Sequence, residues 1–467
     1  MDLAGLTATD QKALLAAGKA SCRELLADCR VRAEMTEPVV NAIPTVHWAT
    51  AEDLAGRLDD DPSLMANAPL RGLVTAFKDL GATAGVRTTY GSPVFADHVP
   101  AADDPMITQI RQSGVVPVGK TNTPEFGKGS HTFNPVHGLT RNPWDPTRSA
   151  GGSSGGAAVA LACGSISIAD GSDLGGSLRN PASFNGIVGF RPTIGSTSLS
   201  RDPNRQTDQA VLGPMGRTVA DVALMLGAMM ETDVPLVRAS SPLRVAFSAD
   251  LSDLPLDPLV RAAVLRAADV LSDSGWEIVE ARPDLTNADR CFEDLRAHSQ
   301  AIARPDLAND ERVKPTARHE IRLGLSLKPE RIAAALVTEA QIQSNWRKFF
   351  ADGRFRAMLS ATSQVPPFPV GLEWVDEIDG VRLEHYTNWM RSCSRITVTG
   401  GPSASLPVGF TDSGLPVGMQ FSCPQGADTD LLSVLAAAEE VFGTSPAPDI
   451  GALAVMDPKL LPPGPLG

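Results

Sequence analysis

Short apolar runs alternate with longer amphipathic stretches along most of this chain. Residues 72–77 (GLVTAF), 115–118, 165–169, 243–247 and 276–280 read as strands, because brief runs of apolar residues between turn signals fit buried strands. Between them, residues 104–113, 157–163, 219–230 and 258–272 carry helical patterns, and residues 212–217 lead into the third of these. Two helices are predicted within residues 6–35. Thr9 or Asp10 is the candidate cap of the first, and Ser21 with Glu24 forms a capping box for the second. A further helix is predicted over 49–58, and residues 121–149 read as a long ordered loop. Residues 403–407 and 416–421 are strand-like around a turn at 412–414, and a helix follows at 429–441. This alternation of strand and helix means an α/β fold. Residues 285–395 differ, being helix-rich and charged with no strand signal before 357–359. They read as a helical, substrate-lining region over one end of the sheet, within a single domain spanning 1–467. The Pro-rich tail 445–467 is expected to wrap the surface irregularly.

Composition narrows the class. The 467 residues are 43% hydrophobic and 20% charged, as in ordinary globular proteins. A net charge of -13 argues against nucleic acid or an anionic membrane as partner, since both select basic patches. The N-terminal residues lack a basic segment followed by an apolar core, so no signal peptide is expected. The longest apolar runs are too short for a membrane span. Cys22, Cys29, Cys163, Cys291, Cys393 and Cys423 form no C-x-x-C pair, which favours free thiols and a cytoplasmic location. No metal-ligand constellation is present, and no cofactor is expected.

Candidate chemistry concentrates between residues 150 and 193. Gly114 to Thr121 matches the phosphate-loop pattern, but its centre is an apolar run, Pro117 removes a donor, and no helix start follows. Gly152-Ser153-Ser154-Gly155-Gly156 matches G-x-S-x-G, but loop residues precede it rather than a strand, and no downstream histidine sits in a recognisable catalytic setting. A Ser-His-Asp esterase is therefore the alternative mechanism. The third reading joins Lys78, Ser153 and Ser177. Lys78 ends a buried strand, where desolvation lowers a lysine's pKa. Ser177 follows Leu174-Gly175-Gly176, whose backbone N–H groups can surround an oxyanion. By itself each piece has a plainer reading: a Gly/Ser cluster is usually a linker, and a lone lysine is usually solvated. Glu125 reads as a structural hydrogen-bonding residue, and His131 and His137 as polar packing groups or residues at a substrate rim rather than ligands.

At these positions the chain resembles the amidase signature hydrolases. The resemblance rests on Phe77-Lys78-Asp79, Gly119-Lys120-Thr121-Asn122, Asn142-Pro143-Trp144-Asp145, Gly151 to Gly156, Gly171 to Arg179, Gly189-Phe190-Arg191-Pro192-Thr193 and the closing Gly401 to Pro407 and Gly414 to Gln420, in order. It covers most of the chain outside 280–395. It implies a central mixed twisted sheet with helices on both sides. It also implies that Ser177 is the acylating nucleophile, Ser153 a relay held by a cis peptide bond, and Lys78 the neutral general base. The N–H groups of Leu174, Gly175, Gly176 and Ser177 would form the oxyanion hole, and Ser172, Asp173 and Arg179 would support the site from behind. Ser154 is assigned neither role. Ser172 and Arg191 stand where the family usually has Thr and Lys.

The implied activity is hydrolysis of amide C–N bonds, with carbamates (urethanes) and esters as further substrates, in a monomer or homodimer. An alternative is the amidotransferase component that works on glutamine within a complex. The tyrosine-containing stretch of that component has no counterpart in residues 194–209, which disfavours it. Gly129, Ser130, Phe133 and Arg205 are the expected substrate-binding residues. Trp144, Leu325, Leu327, Trp346 and Phe368 are further lining candidates, with core packing as the plainer role for each.

Overall fold

The computed structural model describes residues 1–197, 209–240 and 242–466. Its central sheet has eight strands, ordered Glu277–Glu280, Arg244–Phe247, Met358–Ala361, Pro416–Ser422, Ser403–Phe410, Val188–Arg191, Val211–Gly216 and Ala169–Asp173. The first three run parallel, and every later neighbour pairs antiparallel, so the sheet is mixed as expected. Side chains alternate between its faces. Val245 and Phe247 join the helices Val219–Met230, Pro258–Asp273 and Asp428–Phe442 in one apolar cluster. Ala246 and Met358 turn the other way, toward Trp346, Phe350 and Ile396. Both faces are thereby covered by helices.

Lys78 does not belong to this sheet. The strand Val74–Lys78 lies parallel to Val116–Thr121 in a separate three-stranded sheet with Thr45–Val46. Residues 167–170 stitch the two sheets together. Ser167 N–H donates to Val74 O at 2.8 Å, and Thr75 Oγ1 donates to Ile168 O at 2.8 Å. The strand predicted at 165–169 is displaced for this reason: the apolar run passes beside Val74–Lys78, and the strand begins at Ala169. Its sequence, ADGSD, hides a strand because its polar side chains are buried against partners rather than facing water.

Other elements fall close to their predicted places. The first helix, Ala8–Ala16, is capped by Thr7, whose hydroxyl accepts Asp10 N–H; Thr9 instead donates to Asp221. The Ser21–Glu24 capping box opens Cys22–Val40 as predicted. The small-residue helix Gly155–Cys163 is buried along its whole length. At Gly156 an added Cβ would stand 2.3 Å from Asn122 N, so this helix start approaches neighbouring backbone too closely for a side chain. Within 285–395, Ala288–Ala303, Pro315–Ser326 and Pro329–Phe349 are the main helices, with a short hairpin at Glu377–Ile378 and Val381–Arg382. Phe292, Leu295 and Ile342 from this region pack against Leu174, which brings the helices over the Leu174–Ser177 loop. The tail is not irregular throughout: Ile450–Ala454 is a helix that buries Leu453 in the largest core cluster.

Candidate active site

Lys78 is the centre of the site. Its strand is buried at every position, and the side chain is only 1% exposed. Its backbone N–H donates to Asp170 Oδ1 at 3.1 Å, which fixes the end of the strand. The ammonium nitrogen lies 2.7 Å from Ser153 Oγ, 2.8 Å from Ser154 Oγ and 3.0 Å from Ser172 Oγ. Burial pushes its pKa down to about 7, and the attraction of Asp170 and Asp173 opposes that shift. A lysine so placed is neutral in a large fraction of molecules near neutral pH and can accept a proton.

The Gly152–Ser153 peptide bond is cis. The flanking segment is held from the 130–132 loop: Ser130 Oγ donates to Gly152 O, and Thr132 Oγ1 donates to Gly151 O at 2.8 Å. Ser154 N–H donates to Ser177 O at 3.2 Å, which draws the two serine clusters together. Ser154 was given no part by the motif reading. It also accepts from Lys78 Nζ, at 2.8 Å against 2.7 Å for Ser153, and its hydroxyl accepts Ser172 N–H at 3.4 Å. The tandem Ser-Ser sequence was the signal for this, since adjacent hydroxyls can share one lysine.

Asp173 shapes the turn that carries Ser177. It accepts Gly176 N–H at 2.8 Å and Leu178 N–H at 3.1 Å, and Arg179 grips it through Nε at 2.9 Å and Nη2 at 2.8 Å. Burial alone would raise the carboxyl's pKa, but Arg179 and Arg191 outweigh it and hold Asp173 well below the usual carboxylate range. Arg179 continues to Gln420 Oε1 at 2.7 Å and Cys393 O at 3.1 Å, tying the turn to the strand Pro416–Ser422 and the helix Arg391–Thr397. Gly176 has φ +116 and would clash with Asn180 and Cys393 if it carried a Cβ, so this position requires glycine. Its N–H is engaged by Asp173. Among the described residues, the N–H groups of Leu174, Gly175 and Ser177 donate to no protein acceptor. Ser177 itself is half-buried and stands at the start of the helix Arg179–Asn185.

The competing motifs resolve on the same geometry. Gly114–Thr121 runs into the strand Val116–Thr121, and Lys120 Nζ is spent on Gly81 O at 2.5 Å and Thr83 Oγ1 at 2.8 Å. Among the described residues, no histidine hydrogen-bonds to Ser153, Ser154 or Ser177. His131 bonds to Ser149 Oγ at 2.8 Å and Val370 O at 3.1 Å, and burial lowers its pKa to about 4, so it packs as a neutral ring. His137 lies 3.2 Å from Thr89 Oγ1. No cluster of three His, Cys, Asp or Glu side chains suited to a metal ion occurs among the described residues.

Of the expected substrate-binding residues, Gly129, Ser130 and Phe133 line one narrow cleft beside the serine clusters. Arg205 lies outside the described residues, as does most of 194–209. Trp144 instead donates to Asn185 O and meets the Phe410 ring at 4.9 Å, while Trp346 is buried behind the sheet and donates to Cys423 O. Leu325 is 55% exposed. Phe368 packs in an apolar cluster with Phe184 and Trp389. These side chains serve packing or surface roles because the sheet and the helices beside it claim their apolar surface first. A larger surface cavity of about 610 Å³ lies elsewhere, between Thr9, Gln109, Leu224 and Val234, and holds none of the candidate catalytic residues.

The family description "Amidase" matches residues 24–432. An indoleacetamide hydrolase of Bradyrhizobium japonicum is 31% identical over 416 residues, covering 84% of this chain and 88% of that protein. A glutamyl-tRNA(Gln) amidotransferase component of Chloroflexus aurantiacus is also 31% identical, over 90% of this chain and 93% of its own. Among solved structures, one described as an amidase superimposes with a TM-score of 0.85 at 27% identity, covering 94% of this chain and all of that one. A bacterial aryl acylamidase of the amidase signature family superimposes with a TM-score of 0.86 at 23% identity, covering 97% and 99%.

Proposed function

The chain belongs to the amidase family, and from that premise we propose that it hydrolyses amide C–N bonds through an acyl-enzyme built by Ser177, Ser153 and Lys78. The observation that carries this reading is the 2.7 Å contact between Lys78 Nζ and Ser153 Oγ, with the lysine desolvated. Ser177 Oγ attacks the carbonyl carbon while its proton passes to Ser153, whose own proton passes to neutral Lys78. The carbonyl oxygen becomes an oxyanion held by the free N–H groups of Leu174, Gly175 and Ser177. Lys78 returns the proton through Ser153 to the leaving amine nitrogen. Water then attacks the acyl-enzyme by the same relay, releasing the carboxylic acid and restoring Ser177. Ser154 and Ser172 hold the lysine nitrogen in line.

A carbamate or an ester places the same carbonyl against Ser177, so both belong to the proposed substrate range. The amidotransferase relative and the hydrolase are equally similar at 31% identity, the first over 90% of this chain and the second over 84%. The absence of tyrosine from 194–209 favours a stand-alone hydrolase. The test is hydrolysis of an anilide, a p-nitrophenyl ester and a carbamate by the purified chain, alongside Ser177→Ala. Turnover by the chain alone that Ser177→Ala abolishes is expected. Turnover only with an added partner protein supports the amidotransferase reading instead, and a fully active, folded Ser177→Ala protein overturns the acyl-enzyme.

A further inference from the structure

One cleft beside the serine clusters is lined by hydrogen-bond donors without partners. Its walls include Gly129, Ser130, Phe133, Lys314, Thr316 and Trp389. It adjoins the proposed catalytic groups, because the 127–131 segment runs past them. A Cβ added at Gly127 would lie 3.3 Å from Ser153 Oγ, and Ser130 Oγ donates to Gly152 O. Lys314 Nζ donates to Lys128 O at 2.5 Å and stands 5.6 Å from the centre of the Phe133 ring. Among the described residues it has no carboxylate within ion-pairing distance. Trp389 is 1% exposed, yet its indole N–H is buried with no acceptor; the Thr316 hydroxyl is also buried without a partner. Unpaired buried polar groups are costly, so donors left open in a native site point to something that binds there.

The charge around the cleft has the same sense. Glu320 is already committed: Arg296 Nε bonds to it at 2.7 Å, and Lys128 Nζ and Tyr386 OH also contact it. Burial disfavours the Glu320 charge, but Arg296 and Lys128 hold its carboxyl well below the usual range. Glu125 is turned to Ser92 Oγ and to the backbone N–H of Lys314, not to its ammonium. Glu373 reaches the cleft from its exposed rim. Burial pushes the Lys314 pKa down, and Glu373, Glu125 and Glu320 nearby push it back up toward the charged form. With one donor position spent on Lys128 O, its nitrogen has two to spare, and the Thr316 hydroxyl and Trp389 indole N–H on the same cleft lack partners. The enclosed space of about 10 Å³ is the size of one water molecule, so a carboxylate oxygen entering the cleft would take the place of a single water.

We propose that this cleft receives a carboxylate carried by the substrate, so that the enzyme prefers amides bearing a second, acidic group, such as the half-amides of dicarboxylic acids. Lys314 supplies the charge, and Trp389 Nε1 and the Thr316 hydroxyl supply neutral hydrogen bonds. The assignment rests on the amidase reading for what happens at the other end of the substrate, but not for the binding itself.

Binding and turnover therefore test it separately. Succinamate, glutaramate and adipamate are titrated calorimetrically into Ser177→Ala protein, each against its neutral diamide, which has the same shape without the charge. At one chain length at least, the half-amide is expected to bind tenfold or more tighter than the diamide. Adding Lys314→Met should bring that ratio near one, Lys314→Arg should retain most of it, and Thr316→Val should lower it several-fold. A ratio near one at every length in the Ser177→Ala protein overturns the proposal and leaves the cleft as a water site. So does a ratio that survives Lys314→Met. Failure of the unsubstituted enzyme to hydrolyse either series would count against the amidase reading, while the binding ratio would still decide the cleft.

Discussion

Arg179 holds Asp173 through two parallel hydrogen bonds of 2.9 and 2.8 Å, and neither side chain is exposed at all. Arg191 lies 3.5 Å from the same carboxylate. Asp173→Asn leaves two buried guanidinium groups facing a neutral amide, and breaking a buried pair from one side costs about 3–5 kcal/mol. A lower urea midpoint with an unchanged slope is the expected result. The unsubstituted protein should also lose stability as pH falls below about 3.8. A carboxyl with a depressed folded pKa stabilises above its unfolded value, and that contribution fades once both states bind the proton.

Lys78 sets the pH response of catalysis. Its pKa near 7 means that kcat/KM should rise with pH through an acid limb at about 7, because only the neutral amine accepts a proton. Lys78→Met should remove the limb and lower the rate by roughly a thousandfold. The same lysine predicts a stability effect of opposite origin to that of Asp173. Between about pH 7 and 10.5 the unfolded chain binds a proton that the folded protein does not, so stability rises with pH across this window. Denaturation curves of Lys78→Met across that range should show a flatter rise.

Ser153 and Ser154 both reach Lys78 Nζ, at 2.7 and 2.8 Å, yet they are expected to differ in function. Ser153→Ala interrupts the relay and should cost at least a hundredfold in kcat. Ser154→Ala removes one partner that positions the amine and should cost about tenfold, shifting the acid limb. Equal losses in the two variants would count against a relay through Ser153 alone.

Gly176 tests the geometry of the turn. With φ +116 and an added Cβ placed 2.7 Å from both Asn180 Nδ2 and Cys393 Cβ, Gly176→Ala combines backbone strain with overpacking. Each effect is worth about 1–3 kcal/mol. A lower melting temperature together with a fall in kcat larger than any rise in KM is expected, because the same turn carries Ser177 and the open N–H groups.

The alternation of short apolar runs and amphipathic helices was readable because burial alone decides it: Val74–Lys78, Gly155–Cys163 and Pro258–Asp273 all stand close to their predicted places. The strand Ala169–Asp173 was not readable. Its polar residues are buried because partners such as Arg179 and the Lys78 N–H satisfy them, and hydrophobic periodicity carries no sign of that. Ser154 was missed for a similar reason, since a motif assigns one serine and cannot tell which hydroxyls converge on one nitrogen. Trp144 and Trp346 take the plainer of their two expected roles, core packing, against surfaces that come from distant strands and helices.

By itself the sequence determined the α/β class, the order of the elements and the family, because glycines, serines and a lysine at fixed places are local requirements of turns and chemistry. Only the tertiary structure decided that Lys78 comes from a second sheet docked beside the first. It also decided that Asp173 claims the Gly176 N–H, and that Lys314, Thr316 and Trp389 meet at one cleft. Those facts depend on contacts between residues far apart in the chain, whose desolvation and pairing exist only once the sheets and the 285–395 helices have packed.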